Sequence, residues 1–116
     1  MSAVDLAEKL RQFDKTWAPR VVADYNGNDI MVVKVEGAFV WHSHPETDDF
    51  FLVLSGEVAI EMREEVVLLK PGQLYVVPAG VEHRPVARVP SEVMIIEPAG
   101  TPNTGDPNTA VTKQHV

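Results

Sequence analysis

Residues 37–56 read GAFVWHSHPETDDFFLVLSG and combine two histidines, two aspartates and an apolar run. Side chains at positions i and i+2 of a β-strand share one face, so His42 and His44 are predicted to project together, roughly 6 to 7 Å apart. Neutral imidazoles bind Zn, Fe, Ni, Cu and Mn, and Asp48 or Asp49 supplies a carboxylate oxygen just downstream. The stretch therefore predicts ligands for one metal ion on a β-strand.

The two other histidines lie far from this stretch. His83 follows the turn sequence Pro78-Ala79-Gly80, whereas His115 lies near the end of the chain. A His-x-His pattern also arises on a solvent-facing strand, and an ordinary acidic turn before a strand is the alternative for Asp48 and Asp49. The residues alone leave both a metal site and an exposed polar surface open.

The sequence around the motif breaks into short β-type runs separated by Gly, Pro and Asn turns. Short connections favour antiparallel pairing, and many short strands in a chain of this length predict an all-β fold, a closed barrel or a double-sheet jelly roll. The candidate strands are VVADY (21–25), IMVVKV (30–35), FVWHSH (39–44), FFLVL (50–54), EVAIEMR (57–63), VVLLK (66–70), LYVVP (74–78) and EVMIIE (92–97), and the turns between them include Asn26-Gly27, Gly37, Ser55-Gly56, Pro71-Gly72 and Val89-Pro90-Ser91.

A short helical segment precedes the strands. Ser2 and Asp5 form a weak capping pattern, Pro19 ends the segment, and apolar residues recur between them at helical spacing: Leu6, Leu10, Phe13 and Trp17. The final stretch is rich in Pro, Gly, Asn and Thr and shows no period. We therefore predict an N-terminal helix over residues 1–18, a β-barrel domain over 20–98 and an extended C-terminal tail over 99–116.

Composition excludes several classes of protein. The 116 residues include no cysteine, so disulfides, thiolate ligands and a cysteine nucleophile are excluded. A net charge of −7 without a basic stripe argues against a nucleic-acid partner. There is no apolar run of the ~20 residues that a bilayer span requires, and no basic leader at the N-terminus. We expect one cytoplasmic domain with no membrane partner.

Two motifs resemble those of the cupins, a family of small jelly-roll barrels with a metal site inside. The stretch 37–56 is similar to the cupin pattern of Gly, His-x-His, an acidic residue and Gly, and GQLYVVPAGVEHRPVA (72–87) is similar to the pattern of Gly, Pro-x-Gly and His. The resemblance implies His42, His44, Asp49 and His83 as metal ligands. It implies the fold of a small antiparallel double-sheet jelly-roll barrel, here with a short N-terminal helix.

Three positions depart from the cupin pattern. Four residues instead of five separate Gly37 from His42, which indicates a shorter turn. Asp49 replaces the family's glutamate and is one methylene shorter, so its bond to the metal is direct, bridged by water or lost. The spacing of six residues to Gly56 nevertheless selects it over Asp48. Ala87 replaces the family's asparagine.

The resemblance implies a metal-dependent enzyme that acts on a small molecule, of the isomerase, lyase or dioxygenase type, with one divalent transition metal ion such as Zn, Fe, Mn or Ni. Two alternatives stay open: a binding or sensor cupin that holds a small ligand without transforming it, and a structural barrel without metal. The chain also looks like the small stand-alone bacterial cupins often labelled mannose-6-phosphate isomerase-like, a label that names similarity and not activity.

Strand phase predicts the neighbours of the site. Val40 is expected on the face of His42, and Phe51 and Val53 on the face of Asp49, so that the pocket wall is apolar.

The surroundings of the pocket give further expectations. Arg84 at the pocket mouth and Glu82 as a general base compete with simple exposure to solvent, which is the more common state of such residues. Trp41 is expected on the opposite face, and FFLVL (50–54) requires cover on both faces, either from the opposite sheet and the helix or from a second subunit. We predict a homodimer.

Overall fold

The computed structural model describes residues 2–116, which form an eight-stranded β-sheet connected through one long strand. The part of the sheet beside the C-terminal half of this strand is named the first sheet, and the part beside its N-terminal half the second sheet. Most strands end next to a Gly, Pro or Asn turn of the sequence. The helix and the strands have these bounds: α1 Leu6–Leu10, β1 Arg20–Tyr25, β2 Asn28–Ala38, β3 Asp49–Ser55, β4 Val58–Met62, β5 Val66–Leu69, β6 Leu74–Val77, β7 His83–Pro98 and β8 Gln114–His115.

Strand β7 belongs to both sheets. Its C-terminal half lies between β2 and β3, and its N-terminal half pairs with β4. Strand β6 extends the first sheet from β3, β5 extends the second from β4, and β1 pairs with the other edge of β2. These pairs are antiparallel, whereas β8 pairs with β1 in parallel. The result is the predicted all-β jelly roll, with the site at the start of β7.

The core lies between the two sheets. Strand β4 shows the predicted alternation, because Val58, Ile60 and Met62 are buried while the residues between them are partly exposed. Phe51 and Val53 of β3 also point into the core. On the other face of β3, Leu54 packs against the cluster of Leu10, Phe13 and Val32, so the N-terminal segment and β2 together cover this face of the apolar strand.

The N-terminal helix is shorter than its periodicity predicts. It spans only Leu6–Leu10, and the side chain of Asp5, not of Ser2, accepts the capping hydrogen bonds. Beyond the helix, Lys34 of β2 binds the segment in two ways: Nζ donates to the carbonyl of Phe13, and the carbonyl of Lys34 accepts from the amide of Trp17. Contacts with β2 therefore override the helical pattern from residue 11 onward.

The prediction of a strand over FVWHSH (39–44) is wrong. Only His42 forms a bridge, with His83, and the neighbouring backbone groups bind separate segments. The amide of Phe39 donates to Pro85, and the carbonyl of His44 accepts from Gly80. The segment is consequently an irregular connection between β2 and β3, even though it carries two of the site histidines.

Two predicted turns lie inside strands. Gly37 is a bulge near the end of β2, with φ of +82°, and Val89-Pro90-Ser91 continues β7 instead of ending it. The hydroxyl of Ser91 accepts from the amide of Glu57, which supports the irregular backbone there. By contrast, the predicted Asn26-Gly27 turn connects β1 to β2, with positive φ at both residues.

The C-terminal segment 99–116 folds back onto the barrel. Gln114–His115 form β8, and the amide of Val116 donates to the carbonyl of Val21. Gly105 lies so close to the carbonyl of Ser43, between the two motif histidines, that a side chain there would overlap it. The segment is thus part of the wall beside the site. No helix within residues 2–116 is long and apolar enough to cross a bilayer.

Replacement of Gly56 by alanine is expected to destabilise the fold. Gly56 has φ of +80°, and an added Cβ would overlap Ser91 Oγ and lie 2.9 Å from the carbonyl oxygen of Pro90. Gly72→Ala is the matched control, because φ is +84° and nothing lies within 4 Å of the new Cβ. Urea unfolding should show a loss of about 1 kcal/mol for Gly72→Ala and roughly 3 kcal/mol for Gly56→Ala. Equal losses would contradict this account of the packing.

Candidate metal centre

Four buried side chains converge at the N-terminal end of β7. His42, His44, Asp49 and His83 are 8%, 3%, 4% and 0% exposed, and each offers one ligand atom within 4.8 Å of the others. Asp49 and His83 are the first residues of β3 and β7, and the two other histidines come from the irregular connection before β3. All four residues predicted from the sequence are therefore brought together.

Backbone carbonyls orient two of the imidazoles. Nδ1 of His42 donates to the carbonyl of Val40, and Nδ1 of His83 donates to the carbonyl of Val81, each at 2.9 Å. A proton on Nδ1 leaves the Nε2 lone pair of a neutral ring free. Metal-binding histidines commonly have this arrangement, in which the second ring nitrogen is held by a carbonyl or a carboxylate.

The shared partner of the histidines is the carboxylate of Asp49. Its Oδ2 lies 3.2 Å from Nε2 of both His44 and His83. Within residues 2–116, Nδ1 of His44 and Oδ1 of Asp49 are buried without a hydrogen-bond partner, and Nε2 of His44 has no partner besides this contact with Asp49. Asp48 does not join the cluster, because its Oδ1 accepts from the amide of Ala79.

A cation at the centre of the cluster would bind one ring nitrogen of His44 and one oxygen of Asp49. Ligands bound at ~2.0 to 2.2 Å from one ion are at most about 4.4 Å apart, so the observed spread of 4.8 Å needs only small shifts. Three imidazoles and one carboxylate form a mixed nitrogen and oxygen set that suits a divalent transition metal. The cluster can thus hold a metal ion.

Electrostatics favour the proton-free form of His42 and Asp49 and the protonated form of His44. Burial, reinforced by the neighbouring histidines, lowers the pKa of His42 to about 4, so this ring is neutral at pH 7. Burial opposes ionisation of Asp49, but hydrogen bonds from His44 and His83 outweigh it and hold the pKa of Asp49 below its usual value. Burial likewise opposes protonation of His44, but the hydrogen bond and charge of Asp49 outweigh it and raise its pKa.

A cavity of ≈ 520 Å³ of empty space, including its opening to solvent, adjoins the cluster. His42 and Asp49 belong to both the cluster and the cavity wall. The only other charged or amide side chains of the wall are Glu97 and Asn103. The remaining wall is otherwise apolar and includes Trp17, Phe39, Val35, Phe51 and Ile95.

Predictions about the residues around the pocket were right only in part. Phe51 lines the cavity as expected, whereas Val40 is 55% exposed because its segment is not a strand. Arg84 binds Glu61 instead of lining the pocket mouth, and Glu82 binds Arg63 on the surface. The guanidinium groups of Arg63 and Arg84 lie over the ring of Trp41, at 3.9 Å and 5.1 Å from its centroid respectively, and cover part of the ring.

Sequence reasoning missed several residues of the cavity, above all Glu97. This carboxylate follows Val93 and Ile95 at a period of two along β7, so it shares their inward face. The alternation along this strand could therefore have identified Glu97 from the sequence. No comparable signal marked Trp17, which has φ of +58° and stacks on Phe39, or Asn103, which comes from the C-terminal segment.

The metal-free protein is expected to lose stability as the pH falls from 6.5 to 4 because of His42. Its pKa is lowered from 6.5 to about 4 on folding, so only the unfolded chain binds this proton in that window. His42→Gln should reduce the loss of unfolding free energy between pH 7 and pH 4.5 by on the order of 2 kcal/mol. Urea unfolding with chelator measures it, and the exposed His115→Gln is the control. An unchanged pH dependence in His42→Gln would contradict the burial argument.

Known proteins share this architecture. A crystal structure of a cupin-2 domain containing protein from Shewanella frigidimarina matches with a TM-score of 0.82 and 43% identity, over 83% of this chain and 94% of that one. Protein NMB1881 from Neisseria meningitidis matches with a TM-score of 0.77 and 24% identity, over 84% of this chain and all of that one. The uncharacterized protein YdbB of Bacillus subtilis is 31% identical over 64 residues, which span 54% of this chain and 57% of YdbB.

The sequence model of the cupin domain, Cupin_2, matches residues 29–99. This range contains all four residues of the cluster and the strand that joins the two sheets. The fold, the two motifs and the match over more than half of the chain agree, and the chain belongs to the cupin family.

Proposed function

We propose that this chain is a metal-dependent enzyme that acts on a small molecule, with the metal held by His42, His44, Asp49 and His83. The observation that carries the proposal is the position of the cluster at the wall of a largely apolar cavity. His42 and Asp49 belong both to the cluster and to the cavity wall. A buried metal centre beside a concave apolar space has the form of a small-molecule site. The net charge of a divalent ion with three neutral imidazoles and one carboxylate is +1, which favours ligands with an oxygen donor.

The ligand set suits a divalent transition metal such as Zn, Fe, Mn or Ni, because imidazole and carboxylate bind these ions and the chain has no cysteine. A bound ion of this kind supplies Lewis acidity, lowers the pKa of a bound water or, as iron, reacts with dioxygen. The chain itself orients two of the ligands, His42 and His83, through the carbonyls of Val40 and Val81. Isomerase, lyase and dioxygenase reactions on small molecules are the classes that we propose.

Metal content is the first test. Protein purified without chelators and without a histidine tag is expected to contain about one metal ion per chain by elemental analysis. His83→Ala should lose nearly all of it, because three buried ligands would remain around an enlarged space. Asp49→Ala should lower the affinity by about 10 to 100-fold or more. The control is His115→Ala, which alters the one histidine outside the cluster and should retain the metal.

Turnover by the loaded protein then separates the three possible functions. Loss of product formation in His83→Ala, with sugar phosphates, keto acids and catechols as candidate substrates, would support the enzyme. Metal retention with unaltered recovery of every bound molecule would favour the binding or sensor cupin. A wild-type chain that takes up none of Zn, Fe, Mn or Ni would leave the structural barrel.

We also propose that the chain forms a homodimer through the outer faces of β5 and β6. These two strands each pair with one neighbour only within residues 2–116, and their outward side chains are apolar and exposed. Burial of such side chains against a second copy removes apolar surface from water. They are Val66, Leu68, Leu74 and Val76, with exposed fractions of 60%, 51%, 54% and 39%. The cytoplasmic location and the lack of nucleic-acid and membrane partners stay predictions from the sequence.

Light scattering after size-exclusion chromatography tests the dimer. The wild type is expected to elute with twice the mass of the 12.8 kDa chain. Leu68→Asp places a charge in the centre of the apolar face and should yield monomers, whereas Val4→Asp, at an exposed position before the helix, should not. A wild-type monomer, or a dimer that persists in Leu68→Asp, would contradict the proposed interface.

A further inference from the structure

The cavity contains a second buried carboxylate, which the metal cluster does not use. Glu97, near the end of β7, is 4% exposed and lies in the cavity wall with His42 and Asp49. It is not a member of the group of four that converges on the candidate metal position. A charged group in an otherwise apolar wall requires a partner, because its removal from water is unfavourable.

That partner is Lys113 of the C-terminal segment. Its Nζ donates to Oε1 of Glu97 at 2.7 Å, and the two side chains are 12% and 4% exposed. Lys113 is not itself part of the cavity wall, so it binds the carboxylate away from the space that a ligand would occupy. The bond uses Oε1, which leaves Oε2 for a hydrogen bond with a ligand.

Attachment of the C-terminal segment does not depend on this ion pair alone. Gln114–His115 pair with β1, Arg20 donates to the side chain of Gln114 at 2.8 Å, and the amide of Val116 donates to Val21. A buried ion pair is often no more stabilising than apolar residues of the same volume. Its position at the cavity therefore points to a role in ligand binding.

We propose that Glu97 anchors the ligand of the cavity by accepting a hydrogen bond from a hydroxyl group, and that Lys113 is the residue that positions its carboxylate. The ligand class is a compact molecule with an apolar body and a hydroxyl donor that faces Glu97. The apolar body would pack on the wall that Phe39 and Phe51 form. A carboxylate ligand with its charge toward Glu97 is disfavoured by repulsion. This inference rests on the proposed function only in that it takes the cavity as the ligand site.

Phenol and its methyl ether anisole are matched probes, since they share the ring and only phenol has a hydroxyl donor. Their dissociation constants are measured by NMR titration of the full chain, both metal-free and loaded with Zn, following the methyl signals of Val35 and Ile95. The wild type should prefer phenol by about tenfold or more, which is typical of a hydrogen bond to a charged group. Glu97→Gln should lower this preference by about tenfold.

Other variants separate ligand anchoring from a structural role. Lys113→Met should reduce the preference for phenol, and Lys113→Arg should restore it, because a cation again holds the carboxylate. Glu61→Gln is the matched control, since it removes the charge of an ion-paired glutamate on β4 outside the cavity wall. Thermal unfolding of each variant reports any general loss of structure. If Glu97→Gln does not fold, Glu97→Asp keeps the charge but shortens its reach and should also reduce the preference.

The outcomes distinguish this inference from the metal proposal. A preference for phenol that depends on Glu97 in a chain that binds no metal would support the anchor and refute the metal centre. A metal-loaded chain whose preference is unchanged in Glu97→Gln would overturn the anchor and leave the metal centre intact. Failure of both forms to bind phenol would also overturn the anchor.

Discussion

The reciprocal backbone hydrogen bonds between His42 and His83 are the constraint on which the site depends. The amide of each residue donates to the carbonyl of the other, at 3.0 and 2.9 Å. This bridge joins an irregular connection to the first residue of β7, which pairs with Met62 of β4 on its other side. The position of His42 is consequently set by the sheets, although its own segment is not a strand. The imidazole centroids of His42 and His83 lie 4.4 Å apart as a result.

Holding these four polar side chains together in the interior lowers the stability of the fold. Four polar side chains occupy a buried position where apolar residues would pack without unsatisfied groups, and three of their atoms have no hydrogen-bond partner within residues 2–116 other than the near contacts of Asp49. Each such group costs roughly 1 to 3 kcal/mol. The apolar core of the two sheets, which includes fully buried Val53 and Ile60, offsets this cost. The fold thus holds the four candidate ligand atoms within 4.8 Å of one another.

Prediction from the sequence succeeded where a local pattern and the fold agreed, and failed where distant contacts decided the structure. The two motifs located all four cluster residues, and the alternation of β4 showed its buried face. The prediction of a strand over 39–44 was wrong because the backbone groups of this segment form hydrogen bonds with different segments of the chain. The helix was too long because Lys34, more than twenty positions away from Phe13, binds the residues that follow Leu10. Neither contact has a signature within the segment itself.

Distant contacts also bring the segments before and after the cupin domain, its two flanks, to the cavity. The four cluster residues and Glu97 lie within the matched range 29–99, whereas Trp17, Asn103 and Lys113 lie outside it. The two flanks reach the same cavity from opposite ends of the chain: the first packs along β2, and the second pairs with β1. A change in either flank can alter the shape and polarity of the cavity without displacing a residue of the four-residue cluster. Cupin domains that share the central motifs but differ in their flanks are therefore expected to keep the cluster while the shape and polarity of their cavities differ.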